Sequence, residues 1–131
     1  YCTEKYGIQP NIKAIIMTAS VSAHNGAEFP EYCASKGGVL AYTKNVALRV
    51  AKYGATCNSI SAGGVITELN AHILENKSLW DQVMAETLIP KWATVEEMAE
   101  WTYFLAVVNK SMTAQDVLID NGEIAKANFV W

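Results

Sequence analysis

Tyr32 and Lys36 stand four residues apart in the run Tyr32-Cys33-Ala34-Ser35-Lys36. On a helix that spacing puts both side chains on one face, with their tips free to converge. A free phenol, with a pKa of about 10, is a poor proton donor or acceptor near neutrality. An ammonium fixed beside a phenol stabilises the phenolate and suits it to proton transfer. Ser20, twelve residues before Tyr32 and at the end of an apolar run, offers a second hydroxyl to the same point. Together the three would bring two hydroxyls and an ammonium to one point, a set suited to proton transfer. Taken alone, Tyr-x-x-x-Lys fits equally a surface tyrosine and lysine on an ordinary helix. No Gly-x-Ser-x-Gly surrounds Ser20, which argues against a hydrolase nucleophile elbow. His24 is another candidate proton carrier, but beside the turn former Asn25-Gly26 it reads as an exposed loop histidine.

Positioning these residues requires a strand, a loop and a helix in that order. Ile12–Ala19 is almost continuously apolar and rich in β-branched residues, the pattern of a parallel strand buried on both faces. Ser20 to Phe29 reads as a loop. Pro30 and Glu31 open a helix, because proline suits the first helical position and an acid suits the positive end of the dipole. That helix runs to about Tyr53, with Arg49 and Lys52 in its last turns and Gly54 as its stop. Gly37-Gly38 inside it costs roughly 1 kcal/mol per glycine relative to alanine. Close helix packing and access for a cofactor both explain such a pair.

Ala55–Ile60 is the next short strand, broken by Ser61 to Gly64, where backbone amides are exposed at a strand end. Glu68 to Pro90 is an amphipathic stretch interrupted at Asn76-Lys77. Thr94-Val95-Glu96-Glu97 is a capping box, and the helix after it sets Met98, Trp101, Leu105 and Val108 on one stripe. Val117–Ile119 is a last strand, closed by Asp120-Asn121-Gly122. Tyr1 to Pro10 reads as a helix tail or connecting loop, and the apolar end Phe129-Val130-Trp131 as a packed terminus. Strands alternating with helices give a parallel sheet with right-handed crossovers.

The chain has 131 residues, enough for one domain. It is 51% apolar and 18% charged, a globular composition rather than a disordered one. A net charge of -3 gives no electrostatic reason to expect nucleic acid or an anionic membrane as partner. No apolar run approaches the roughly 20 residues that span a bilayer, and no signal-peptide pattern opens the chain. Cys2, Cys33 and Cys57 are odd in number and lack CxxC spacing, which points to reduced thiols and a cytoplasmic protein. Cys33, although inside the motif, reads as buried filler.

Three segments, Ile15 to Ser22, Tyr32 to Lys36 and Asn58 to Thr67, resemble the short-chain dehydrogenase/reductase family in order and spacing. The resemblance runs from about Asn11 to Gly122. It implies an α/β fold, a Rossmann-like doubly wound parallel sheet, of which this chain is the C-terminal half: about three parallel strands with flanking helices. It implies an oxidoreductase that moves hydride between NAD or NADP and a secondary alcohol or ketone. Ser20, Tyr32 and Lys36 would be catalytic, with Ser20 rather than Ser22 as the serine and the loop to Tyr32 one residue shorter than usual. Tyr32 and Lys36, with Ala62, Gly63, Val65 and Thr67, would hold the nicotinamide end, the Val65 backbone meeting its carboxamide. Ala62 stands where the family has proline, which loosens the turn. The stretch after Glu68 would cover a mainly apolar or alicyclic small-molecule substrate. The family's dimers imply a homo-oligomer; the missing N-terminal half is the alternative partner.

A dinucleotide site also needs a glycine-rich turn. The eight glycines form neither GxGxxG nor GxxxGxG, and the family's Asn-Asn-Ala-Gly segment and helix-borne asparagine are absent. The resemblance therefore covers the catalytic half of an NAD(P)-binding domain over 1–131, without the N-terminal dinucleotide-binding half. Truncation, proteolysis and a split protein are all consistent with it. A non-catalytic fragment, persisting as an oligomerisation or interaction module, is the alternative function.

Overall fold

A computed structural model describes residues 13–126. Ile12, Cys2, the segment Tyr1 to Pro10 and the terminal Phe129-Val130-Trp131 lie outside the described residues. Three strands, β1 (Ala14–Ser20), β2 (Thr56–Ala62) and β3 (Asp116–Ile119), form one parallel sheet in the order β1-β2-β3. The register sets Ser20 opposite Ala62 and Ala62 opposite Ile119, so the three strands end level. A level row of strand ends is the rim at which open α/β sheets bind ligands.

Two short and three longer crossover pieces complete the fold. Helix α1 (Ser22–Asn25) follows β1 directly, giving one helical turn where the sequence suggests only a loop. Helix α2 (Pro30–Val50) begins with proline in its first turn and Glu31 beside it. A 3-10 turn, Ala51–Tyr53, carries it to Gly54, whose φ of 68° makes the left-handed stop. After β2 come a 3-10 turn at Glu68–Asn70, α3 (Ala71–Leu74) and α4 (Lys77–Met84). They are separated at Asn76, whose side chain caps α4 by accepting from the Leu79 amide at 3.1 Å. Helix α5 (Val95–Tyr103) opens with the expected capping box, Thr94 and Glu97 each bonding the other's backbone amide. A π-helical turn, Phe104–Val108, ends it.

The core lies between α2 and the sheet. Ala47 and Val50 pack on Ala55 and Cys57, with Ile15, Met17 and Val46 around them. The strand buried on both faces is β2, not β1. All five inner residues of β2 are buried, whereas Ala14 to Met17 of β1 are only half-buried. The reason is position: β1 pairs with β2 alone among the described residues, so apolar sequence occupies the edge and polar sequence the centre. The polar centre is fully partnered. Asn58 bonds the Met112 carbonyl at 2.9 Å and accepts from the Gln115 amide at 3.1 Å, and Ser59 donates to Asp116. Buried polar groups cost little when so satisfied, and they tie the approach to β3 onto β2.

The stripe expected along α5 is broken. Leu105 is fully buried, yet Trp101 is 43% and Val108 51% exposed. The π turn inserts a residue into the helical register after Tyr103, which rotates Leu105 inward and its neighbours outward.

Candidate active site

At the level strand ends a cavity of about 470 Å³ opens. Ser20, Tyr32 and Lys36 line one side, and Ala62, Gly63, Val65 and Thr67 the other, so all seven residues singled out from the sequence meet there. Ser20 ends β1 and is 7% exposed. Its hydroxyl donates to the Ser22 hydroxyl and accepts from the Ser22 amide, both at 3.2 Å. Ser22 lies behind it, 2% exposed and not part of the cavity wall.

Tyr32 sits in the first turn of α2 and is 37% exposed. One turn further on, Lys36 reaches back, its Nζ 5.7 Å from the centre of the Tyr32 ring. The same ammonium donates to the Thr18 carbonyl at 3.1 Å, tethering the start of α2 to β1. This holds the lysine over the phenol at a fixed place instead of leaving it to sample solvent. Cys33, between them, is half-buried rather than buried; the Cys57 thiol is the enclosed one, and burial raises its pKa.

The loop after β2 is shaped by close packing. A Cβ on Gly64 would overlap the indole of Trp92, and one on Gly63 would come within 2.8 Å of Glu123 Oε2. These glycines are thus required by the protein's own side chains. Val65 forms a parallel bridge to Ala93, and its carbonyl accepts from the Asn70 side chain at 2.8 Å. Its amide has no acceptor among the described residues.

His24 is not the loop histidine of the sequence reading. It belongs to α1, and its Nε2 lies 2.8 Å from Asp116 Oδ2 and 3.2 Å from the Ser61 hydroxyl. It fastens α1 to β2 and β3 and takes no place in the cavity wall. The cover is less apolar than expected. Ile73, Val83 and Trp92 line the cavity, but Asn70 and Glu86 come from the same region. Glu28 and Glu123 complete the acidic part of the wall, and no spacing rule singled them out. Glu123 has its pKa raised, first by burial and then by the negative charges of Asp120, Glu86 and Glu28.

Comparison with known proteins shows the family and the fold. Residues 4–123 match a family model of short-chain dehydrogenase type described as enoyl-(acyl carrier protein) reductase. The chain belongs to the short-chain dehydrogenase/reductase family. It is similar to an L-rhamnose 1-dehydrogenase (NADP(+)) of Thermoplasma acidophilum, at 28% identity over 82% of this chain and 43% of that protein. A 3-oxoacyl-[acyl-carrier-protein] reductase of Chlamydia pneumoniae is 30% identical over 90% of this chain and 48% of its own length. Among solved structures, a 4-hydroxyisoleucine dehydrogenase complexed with NADH superposes with a TM-score of 0.81 at 27% identity, over 90% of this chain and 49% of that one. The chain spans about half the length of the relatives it matches, so its fold is part of a Rossmann-like domain. No helix among the described residues is long and apolar enough to cross a membrane.

Proposed function

We propose that this chain carries the catalytic site of an NAD(P)-dependent oxidoreductase acting on a secondary alcohol or ketone. The observation that carries the reading is the convergence of Ser20, Tyr32, Lys36 and the Ala62–Thr67 loop on one cavity at the strand ends. The free Val65 amide beside an occupied Val65 carbonyl fits the carboxamide end of a nicotinamide, with Thr67 adjacent. A nicotinamide bound there supplies the hydride acceptor for alcohol oxidation, or the donor for ketone reduction.

In oxidation the Ser20 hydroxyl holds the substrate oxygen, and the Tyr32 phenolate takes the hydroxyl proton as the carbinol C–H bond breaks. In reduction Tyr32 returns a proton to the new alkoxide. Lys36, held beside the Tyr32 ring, would favour negative charge developing on the phenol oxygen and would meet the ribose of a bound cofactor. NAD and NADP are both accommodated by this reading, since 2′-position selectivity belongs to a part of the fold that these residues do not form. Two unpaired cysteines among the described residues support a reducing, cytoplasmic setting.

A second reading is a non-catalytic module acting through association, favoured by the apolar strand β1 whose outer side is unpaired among the described residues. Titration of the 131-residue chain with NADH and NADPH, followed by cofactor fluorescence, separates the two. Saturable binding together with turnover of secondary alcohols supports the enzyme. In that enzyme Tyr32→Phe lowers turnover by at least about 10²-fold, the usual weight of a general acid–base group. Undiminished turnover in that variant overturns the assignment.

A further inference from the structure

Ser22 is a buried polar side chain behind the cavity wall, 2% exposed, that opens the one-turn helix α1. A serine at a helix start commonly bonds a free amide of its own helix. Ser22 makes no such bond among the described residues. Its hydroxyl has a single partner there, Ser20 Oγ at 3.2 Å, and its amide donates to the same oxygen at the same distance. Helix α1 is pinned to the sheet on both sides of Ser22. The Val21 amide donates to the Ala62 carbonyl at 3.0 Å. His24 Nε2 lies 2.8 Å from Asp116 Oδ2 and 3.2 Å from Ser61 Oγ. Ser22 is thus held where its hydroxyl acts on Ser20 and on no other described side chain.

A hydroxyl has one proton to give and two lone pairs to offer. While Ser20 donates to Ser22, its proton points away from the cavity, and only a lone pair is left for a ligand. A substrate carbonyl or alkoxide oxygen needs the opposite, a proton. The same 3.2 Å separation also serves the reverse bond, from Ser22 to Ser20. Ser20 Oγ then accepts twice, from the Ser22 amide and the Ser22 hydroxyl, and its own proton meets the substrate oxygen. Every donor of the pair is satisfied in that arrangement. A hydroxyl that accepts is also the stronger donor, because hydrogen bonds in a chain polarise one another.

We propose that Ser22 is a positioning residue: as substrate enters, its hydroxyl reverses its bond with Ser20 and turns the Ser20 proton onto the substrate oxygen. This rests on the oxidoreductase reading of the same cavity and adds a residue to it. No proton changes owner in the reversal; two hydroxyls rotate about their Cβ–Oγ bonds. The gain is largest where negative charge grows on the substrate oxygen, so it falls on kcat more than on KM.

Two measurements on the 131-residue chain test it. Serine hydroxyl exchange is read by NMR in mixed light and heavy water, where a slowly exchanging hydroxyl splits its own Cβ signal in two. Without substrate the Ser20 signal is expected to split, to collapse to one line in Ser22→Ala, and to split again in Ser22→Thr. A single Ser20 line in the wild type, or a split that survives Ser22→Ala, overturns the proposal. The second measurement is reduction of cyclohexanone and of butanone, with NADH and with NADPH. Ser22→Ala lowers kcat by about three- to tenfold, the weight of one neutral hydrogen bond, and leaves KM within about twofold. Ser22→Thr keeps the hydroxyl and restores kcat. In a Ser20→Ala background Ser22→Ala has no further effect, whereas a cost that ran through packing would add to the first. An unchanged kcat in Ser22→Ala, or additive losses in the double variant, overturns the proposal and leaves the oxidoreductase standing. Failure of the wild type to reduce either ketone strikes the oxidoreductase reading itself, and the positioning role falls with it.

Discussion

Gly64 and Trp92 compete for one volume. Trp92 is 9% exposed and held edge-on by Trp80 at 5.4 Å between ring centres, so the indole cannot step aside. Gly64→Ala therefore destabilises the chain by about 1–3 kcal/mol, the ordinary cost of overpacking, and shifts tryptophan emission as the cavity loop moves. Denaturant melts give the first effect and fluorescence the second; a neutral substitution would mean that the loop does not pack as described. Glu123 gives a pH signature. Its folded pKa is raised, so between the ordinary carboxylate value of 4.5 and the folded value the native state binds more protons than the unfolded one. Acidification from neutral pH toward the ordinary value of 4.5 thus stabilises the wild type relative to Glu123→Gln, and a difference that stays flat would refute it. Glu97 behaves oppositely and lower down: Lys91 and the Thr94 amide lower its pKa, so its contribution is present above 4.5 and lost as pH falls through the folded value. Ser20, Tyr32 and Lys36 were legible because they sit at motif spacing. Glu28, Glu86 and Glu123 were not, since they come from three segments remote in sequence; His24 is exposed as expected, but its bond to Asp116, 92 positions away, was not legible.

At the scale of elements, local chemistry carried furthest. The proline start and glycine stop of α2, the Asn76 break and the Thr94 box are each decided by a few adjacent residues. Burial was the weaker inference, because it depends on which strand lands at the centre. An apolar β1 at the edge and a polar β2 in the middle reverse the usual reading of composition. The π turn after α5 escaped notice for a related reason: the apolar spacing through Leu105 and Val108 is consistent with an unbroken helix. Helix α2 keeps one open question in its sequence. Gly37 and Gly38 have no neighbouring atom within 4 Å of where a Cβ would stand, so packing within the described chain does not require them. On helix propensity alone, Gly37→Ala stabilises the folded chain by about 1 kcal/mol. If a second copy packs on that face, the same change weakens self-association. Both are measurable on one variant, by denaturant melts of dilute protein and by sedimentation as concentration rises. A less stable dilute monomer would show that the glycine is needed inside the chain.

At the scale of the whole molecule, the sheet edge decides how the chain behaves in solution. The chain spans about half of its relatives, and the sheet ends at β1 with one side of that strand unpaired among the described residues. An apolar edge strand that is neither short nor charged invites pairing with another chain. Its residues Ile15, Ile16 and Met17 are only half-buried, and on the exposed side of α2 Tyr42 is 50% and Leu48 79% accessible. Scattered exposed apolar residues are ordinary on a surface, whereas an unpaired apolar strand calls for a partner. The 131-residue chain is accordingly expected to self-associate at micromolar concentration, through β1 and the outer face of α2. Sedimentation reads the oligomer, and hydrogen exchange reads the contact. The β1 amides that do not bond β2 become protected in the oligomer and exchange fast when it is diluted apart. A monomer at every concentration, with those amides exchanging slowly, would show that the edge is closed by this chain itself and would remove the reason for a partner.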